Sequence, residues 1–190
     1  MILPIYIYGQ PVLRKVAEPI DKDFPNLAEL IQNMKDTMYD SDGIGIAAPQ
    51  VGVSAQIVYI DVDALSDKFP ELKDKRMVII NPEIDIDEDS PTDSREEGCL
   101  SVPGIHENVT RHTKLHINYF DENWQEHDEE IEGFLARVIQ HECDHLEGHV
   151  FTDHISAIRK QMIRNKLNNI IKGKVDCDYR IKPYKPAKRR

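Results

Sequence analysis

His141-Glu142-Cys143-Asp144-His145 is the segment best equipped for chemistry. On a helix, positions i and i+4 lie about 40° apart around the axis and about 6 Å apart along it, so both imidazoles face one way. Two such rings chelate one divalent ion, and the intervening Glu142 lies close enough to act on a water bound there. A catalytic ion needs three protein ligands and an open position. The metzincin pattern H-E-x-x-H-x-x-G-x-x-H would supply another His, but Phe151 stands at that position. His149 and His154 both follow Gly148, which ends the helix, and residues 159–190 hold no Glu. Upstream, Glu97-Gly98-Cys99-Leu100-Ser101 offers a thiolate on Cys99, beside a glycine that lets backbone approach closely. A Cys/His/His set suits Fe(II), Zn, Co or Ni rather than Mg or Ca. One thiolate leaves a divalent centre with net positive charge, which acidifies bound water.

A second segment, Gly43-Ile44-Gly45-Ile46-Ala47-Ala48-Pro49-Gln50, matches the G-x-G-x-x-A dinucleotide loop. That loop must follow a strand and open a helix. This one follows a helical pattern, and Pro49 with Gly52 makes a poor helix start. The better reading is a tight loop whose bare backbone pairs with an extended peptide, ending in a Gln that can donate a hydrogen bond.

The elements that must position these segments are partly legible. Leu27, Leu30, Ile31, Met34 and Met38 recur at helical spacing, with Asn26 and Glu29 resembling a capping box and a stop near Asp40–Gly43. Strands are expected at 56–60, at 76–82 closed by Pro82, at 83–89, and over Thr113–Phe120. Helices are expected at about 133–147, ended by Gly148, and at about 155–171 with a stripe of Ile155, Ile158, Met162, Leu167, Ile170 and Ile171. Strands followed by helices, without βαβ alternation, give an α+β fold.

Composition narrows the class of protein. No apolar run approaches the roughly 18 residues of a membrane span, and the apolar start reads as a buried segment rather than a leader. Three widely spaced cysteines imply no disulfide framework and a reducing, cytoplasmic setting. The net charge of −10 is unevenly spread: residues 159–190 carry twelve Lys/Arg against two Asp, so the remainder stands at −20. An acidic body of this kind argues against specific DNA binding. The expected division is a catalytic unit over 1–158 and a basic helix with a disordered tail over 159–190.

Together the three segments resemble the peptide deformylase family, whose motifs run G-x-G-x-A-A-x-Q, E-G-C-L-S and H-E-x-x-H in that order. Pro11-Val12-Leu13-Arg14 adds to the resemblance, which spans roughly residues 3–158. It implies antiparallel sheets packed around the H-E-x-x-H helix, with one N-terminal and one C-terminal helix. It implies Cys99, His141 and His145 as ligands, usually to Fe(II), with Zn, Ni or Co as substitutes. Glu142 would be the acid/base, and Gln50 with the Leu100 N–H would stabilise the oxyanion. The substrate would be an N-formylmethionyl peptide. Its contacts would come from Gly43, Ile44, Gly45, Glu97 and Gly98, with Phe134 and Val138 beside the methionine side chain. Those two share the His141/His145 face at i, i+4, i+7 and i+11, and plain core packing would place them there as well. Cys143, roughly 200° from His141, reads as core. Arg111 either braces Glu97, as the resemblance suggests, or is a solvated surface residue. His106 stands where some members carry Arg, and Arg95 and Arg137 stand where some carry apolar residues. Some members dock on the ribosome through a basic C-terminal helix, and phosphate attraction would serve residues 159–190 in the same way. A zincin-like protease and a non-catalytic metal-binding module are the rival readings.

Overall fold

The structure, a computed structural model, describes residues 1–184. Helix α1 (Leu27–Asp40) is followed by a five-stranded antiparallel sheet in the order β2 (Gly45–Ala47), β3 (Ile57–Asp61), β4 (Arg76–Ile86), β7 (Lys114–Phe120), β8 (Glu126–Glu132). Between β4 and β7 the chain makes a hairpin of β5 (Thr92–Glu97) and β6 (Glu107–His112). Helix α2 (Gly133–Leu146) carries H-E-x-x-H and packs against both β2–β3 and β6. Helix α3 (Ala157–Ile171) follows. A short parallel pair joins β1 (Ile5–Tyr6) to β9 (Ile181–Lys182). This is the expected α+β class, with antiparallel sheets around the central helix.

β3 shows why its sequence lacks polar alternation. All five residues are buried, because the strand is covered on both faces. Val58 and Ile60 face α2 residues Val138, Ile139 and Cys143, while Ile57 and Tyr59 face α1 residues Ile31, Met34 and Met38. Each fully buried Ile or Met contributes about 1.5–3 kcal/mol of transfer free energy. Cys143 is a core residue, as its helix angle implies.

Several boundaries differ from expectation. Asn26 is the N-cap but adopts a left-handed conformation (φ 55°), and its side chain makes no cap bond, so the capping box is absent. Residues 76–86 form one strand rather than two. Pro82 cannot donate to the ladder, and the register shifts between Ile80 and Glu83, a bulge at which Asn81 takes φ 50°. Asn81 is fixed there by bonds to both backbone groups of Ile20. In α3 the covered stripe is Ile163, Leu167 and Ile170, whereas Ile158 and Met162 face solvent. Lys182, expected in a disordered tail, is paired with Tyr6 in β9. Residues 185–190 of that tail lie outside the described residues. Residue 158 does not separate two packing units, since Ile163 and Ile170 share a core with Ile7, Val102 and Phe151.

Candidate active site

Cys99 lies on the loop after β5, and His141 and His145 project from α2 toward it. One ligand atom from each lies within 4.8 Å of the others. Cys99 Sγ is 3.3 Å from His145 Nε2. Burial would raise the Cys99 pKa, but the two imidazoles outweigh it and bring the thiol down to about 5. A thiolate beside two imidazole nitrogens is the donor chemistry of a borderline divalent ion. Two buried atoms, Glu142 Oε2 and His145 Nδ1, have no hydrogen-bond partner. The Glu142 carboxylate is therefore poised for a group other than the described side chains. Burial pushes its pKa up to about 7.

The outer support is charged and buried. His141 Nδ1 meets Glu97 Oε2 at 2.9 Å, which leaves Nε2 for an ion. Glu97 is gripped by Arg111 through two bonds (2.7 and 3.0 Å) and by Arg137 at 2.7 Å. Burial acts to raise the Glu97 pKa, but the bonds from His141 and Arg111 hold it far below the usual carboxylate range. Arg111 also pairs with Asp144 (3.0 Å), which in turn meets His154 at 2.8 Å. The bracing alternative for Arg111 is thus the one observed. Arg137 gives its remaining bonds to the carbonyls of Val109 and Asp93. Arg95 is exposed and pairs with Asp93. Neither His149 nor His154 belongs to a metal-ligand cluster among the described residues.

Gln50 is oriented by its own carbonyl. Its Oε1 accepts the Ala47 N–H (2.8 Å), so its Nε2 points at Cys99 Sγ (3.4 Å) and Ser101 Oγ (3.2 Å). The Ser101 N–H also donates to Cys99 Sγ (3.4 Å). No acceptor among the described residues takes the Leu100 N–H.

These groups open on a cleft of about 390 Å³. Its walls include all seven of the expected contact residues: Gly43, Ile44, Gly45, Glu97, Gly98, Phe134 and Val138. His145 lies beneath, fully buried. Two glycines make close approaches that a side chain would block. A Cβ on Gly45 would sit 2.4 Å from Glu142 Oε1, and one on Gly98 would sit 2.6 Å from the His106 ring. Sequence reasoning missed Tyr179, whose hydroxyl reaches the Leu100 carbonyl from the C-terminal segment. No local pattern marks a residue that acts 79 positions away from its partner.

An H-E-x-x-H helix joined by a loop thiolate, above a cleft with convergent donors, defines a mononuclear metallohydrolase. The polypeptide deformylase family matches residues 2–161. A peptide deformylase of Christiangramia forsetii is 48% identical over 189 residues, covering 96% of each chain. One of Flavobacterium psychrophilum is 47% identical over 96% of this chain and 97% of that one. The solved structure of a peptide deformylase from Legionella pneumophila superposes with TM-score 0.77 at 38% identity, over 89% of this chain and 95% of that one. The chain belongs to the polypeptide deformylase family. It is a metal-dependent hydrolase of the N-formyl amide bond of nascent polypeptides.

Proposed function

We infer that the deformylation characteristic of this family is carried out here by Glu142, beside an ion held by Cys99, His141 and His145. The observation that carries this reading is the convergence of one sulfur and two imidazoles within 4.8 Å, with an unpartnered buried carboxylate next to them. When bound, the ion supplies Lewis acidity, which acidifies water and polarises a carbonyl. Glu142 takes a proton from the attacking water and passes it to the amine nitrogen as the formyl C–N bond breaks. The Leu100 N–H and Gln50 Nε2 donate to the formyl oxygen as it gains charge, each contributing about 10²–10³ in rate. Gln50 gives up only a long N–H···S contact to do so. Phe134, Val138 and Ile44 receive the methionine side chain, and the bare backbone at Gly43 and Gly45, with Glu97 and Gly98 opposite, flanks the peptide.

Fe(II) is the proposed ion in the cell, with Zn, Ni or Co as substitutes, since the thiolate and imidazole set favours these metals. The proposed location is the cytoplasm, where thiols remain reduced; among the described residues no helix is long and apolar enough to cross a membrane. We further propose that the basic side chains of residues 159–190 dock on ribosomal phosphates, although this segment shares its core with the catalytic unit expected over 1–158. Exposed Arg164, Lys166 and Lys172 on and just after this helix support that role. Salt-sensitive ribosome binding that is lost when Arg164, Lys166 and Lys172 are changed to Glu in the full chain would bear it out, and unchanged binding would refute it. The activity is tested by formate release from a formyl-Met peptide, with metal analysis under anaerobic conditions. Stoichiometric formate from a one-metal protein is expected. Cleavage of internal bonds in unformylated peptides would favour the protease reading, and bound metal without formate release the non-catalytic one.

A further inference from the structure

Tyr179 lies beyond residue 161, where the family match ends. Its hydroxyl donates to the Leu100 carbonyl at 2.8 Å, and its ring lines the same cleft as Gln50, Cys99 and Glu142. The Leu100 carbonyl and the Ser101 N–H belong to one planar peptide unit. The N–H of that unit donates to Cys99 Sγ at 3.4 Å. A single rigid plate therefore has Tyr179 at its oxygen and the proposed ligand sulfur at its nitrogen. A bond to the carbonyl also polarises the amide and strengthens the bond that its N–H makes. The next carbonyl, that of Ser101, accepts from the Tyr8 N–H at 2.8 Å, so the loop is held from both chain termini. The segment carrying Tyr179 is anchored in turn. Strand β9 pairs with β1, and Gln10 Nε2 donates to the carbonyls of Lys182 and Pro183 at 3.0 Å each.

We propose that Tyr179 is a positioning residue for deformylation: by holding the Leu100–Ser101 peptide, it sets where the Cys99 sulfur and the Leu100 N–H stand. The proposal rests on reading Cys99 as a metal ligand and the Leu100 N–H as a donor to the formyl oxygen. The C-terminal segment then completes the site rather than trailing from it.

Tyr179→Phe keeps the ring and removes the hydroxyl. In the full-length Co(II)-loaded protein, the sulfur-to-cobalt charge-transfer band should shift from its wild-type position. The kcat for a formyl-Met peptide should fall about 2- to 10-fold, the rate equivalent of one ordinary hydrogen bond, while KM stays within about twofold. Gln10→Ala loosens the anchor without touching the cleft and should move both readouts in the same direction. Leu72→Val, a core change elsewhere, should lower thermal stability and leave band and kcat alone. A Tyr179→Phe protein with wild-type band and kcat, whatever its melting temperature, overturns the proposal. Wild-type protein that binds no Co(II) through sulfur removes instead the ligand assignment on which it stands.

Discussion

Gly45→Ala is the smallest change that should disable the site without touching a proposed metal ligand. Gly45 lies in β2, where its backbone would tolerate alanine, since φ is not positive. The obstacle is space. The new Cβ would meet Glu142 Oε1 at 2.4 Å, Cδ at 2.8 Å and Cγ at 3.0 Å. Ordinary contact begins at 3.4 Å, so the carboxylate oxygen must retreat by about 1 Å. Glu142 is only 4% exposed and cannot swing into solvent. A misplacement of about 1 Å costs on the order of 10²-fold in rate, equivalent to about 2.7 kcal/mol of activation free energy. We therefore expect kcat for formate release to drop about a hundredfold, with one metal per chain retained. A kcat within about threefold of wild type would refute this argument. A loss of rate that only tracked loss of metal would refute it too.

Cys99→Ala should sharply weaken metal binding in a competitive chelator titration, and wild-type affinity would take Cys99 out of the ligand set. Arg137→Leu leaves Glu97 paired with Arg111 but strips the Val109 and Asp93 carbonyls of a donor, and should lower unfolding free energy by about 1–3 kcal/mol in denaturant titrations; an unchanged midpoint and slope would contradict the buried network. Burial acts to raise the Asp61 pKa, but bonds from Tyr39, the Asp63 N–H and Arg76 hold it below its ordinary value. Its stabilising contribution is therefore full above the unfolded pKa of about 3.9 and is lost as pH falls through the lower folded value. The stability gap between wild type and Asp61→Asn should hold at pH 6 and shrink below about pH 4, and a gap constant down to pH 3 would contradict the pairing.

The sequence reveals elements whose side chains follow simple burial. α1, α2 and β3 were legible because their apolar residues repeat at helical spacing or cluster in a β-branched run. The β5–β6 hairpin was not, although it carries the metal loop. Its inward positions include Glu107, which pairs with Arg159 of α3, and Arg111, which pairs with Glu97 across the hairpin itself. A charged residue facing inward erases the alternation that marks a strand. β8 escaped notice as an acidic edge strand with Ile131 as its buried residue. Within the site, the common face of His141, Glu142 and His145 follows from their spacing on one helix, whereas Cys99, on a loop, is reached as the remaining upstream donor and through the family resemblance. The contacts of Arg137, His106 and Tyr179 depend on tertiary placement, for which local sequence gives no signal.

The central claim is that Glu142 moves the protons while Cys99, His141 and His145 hold the ion. Glu142→Gln keeps the shape of the side chain and removes its basicity. In anaerobically metal-loaded protein, formate release from a formyl-Met peptide should fall about 10²- to 10⁴-fold with metal content unchanged. Turnover at the wild-type rate, or metal lost along with activity, would contradict the claim.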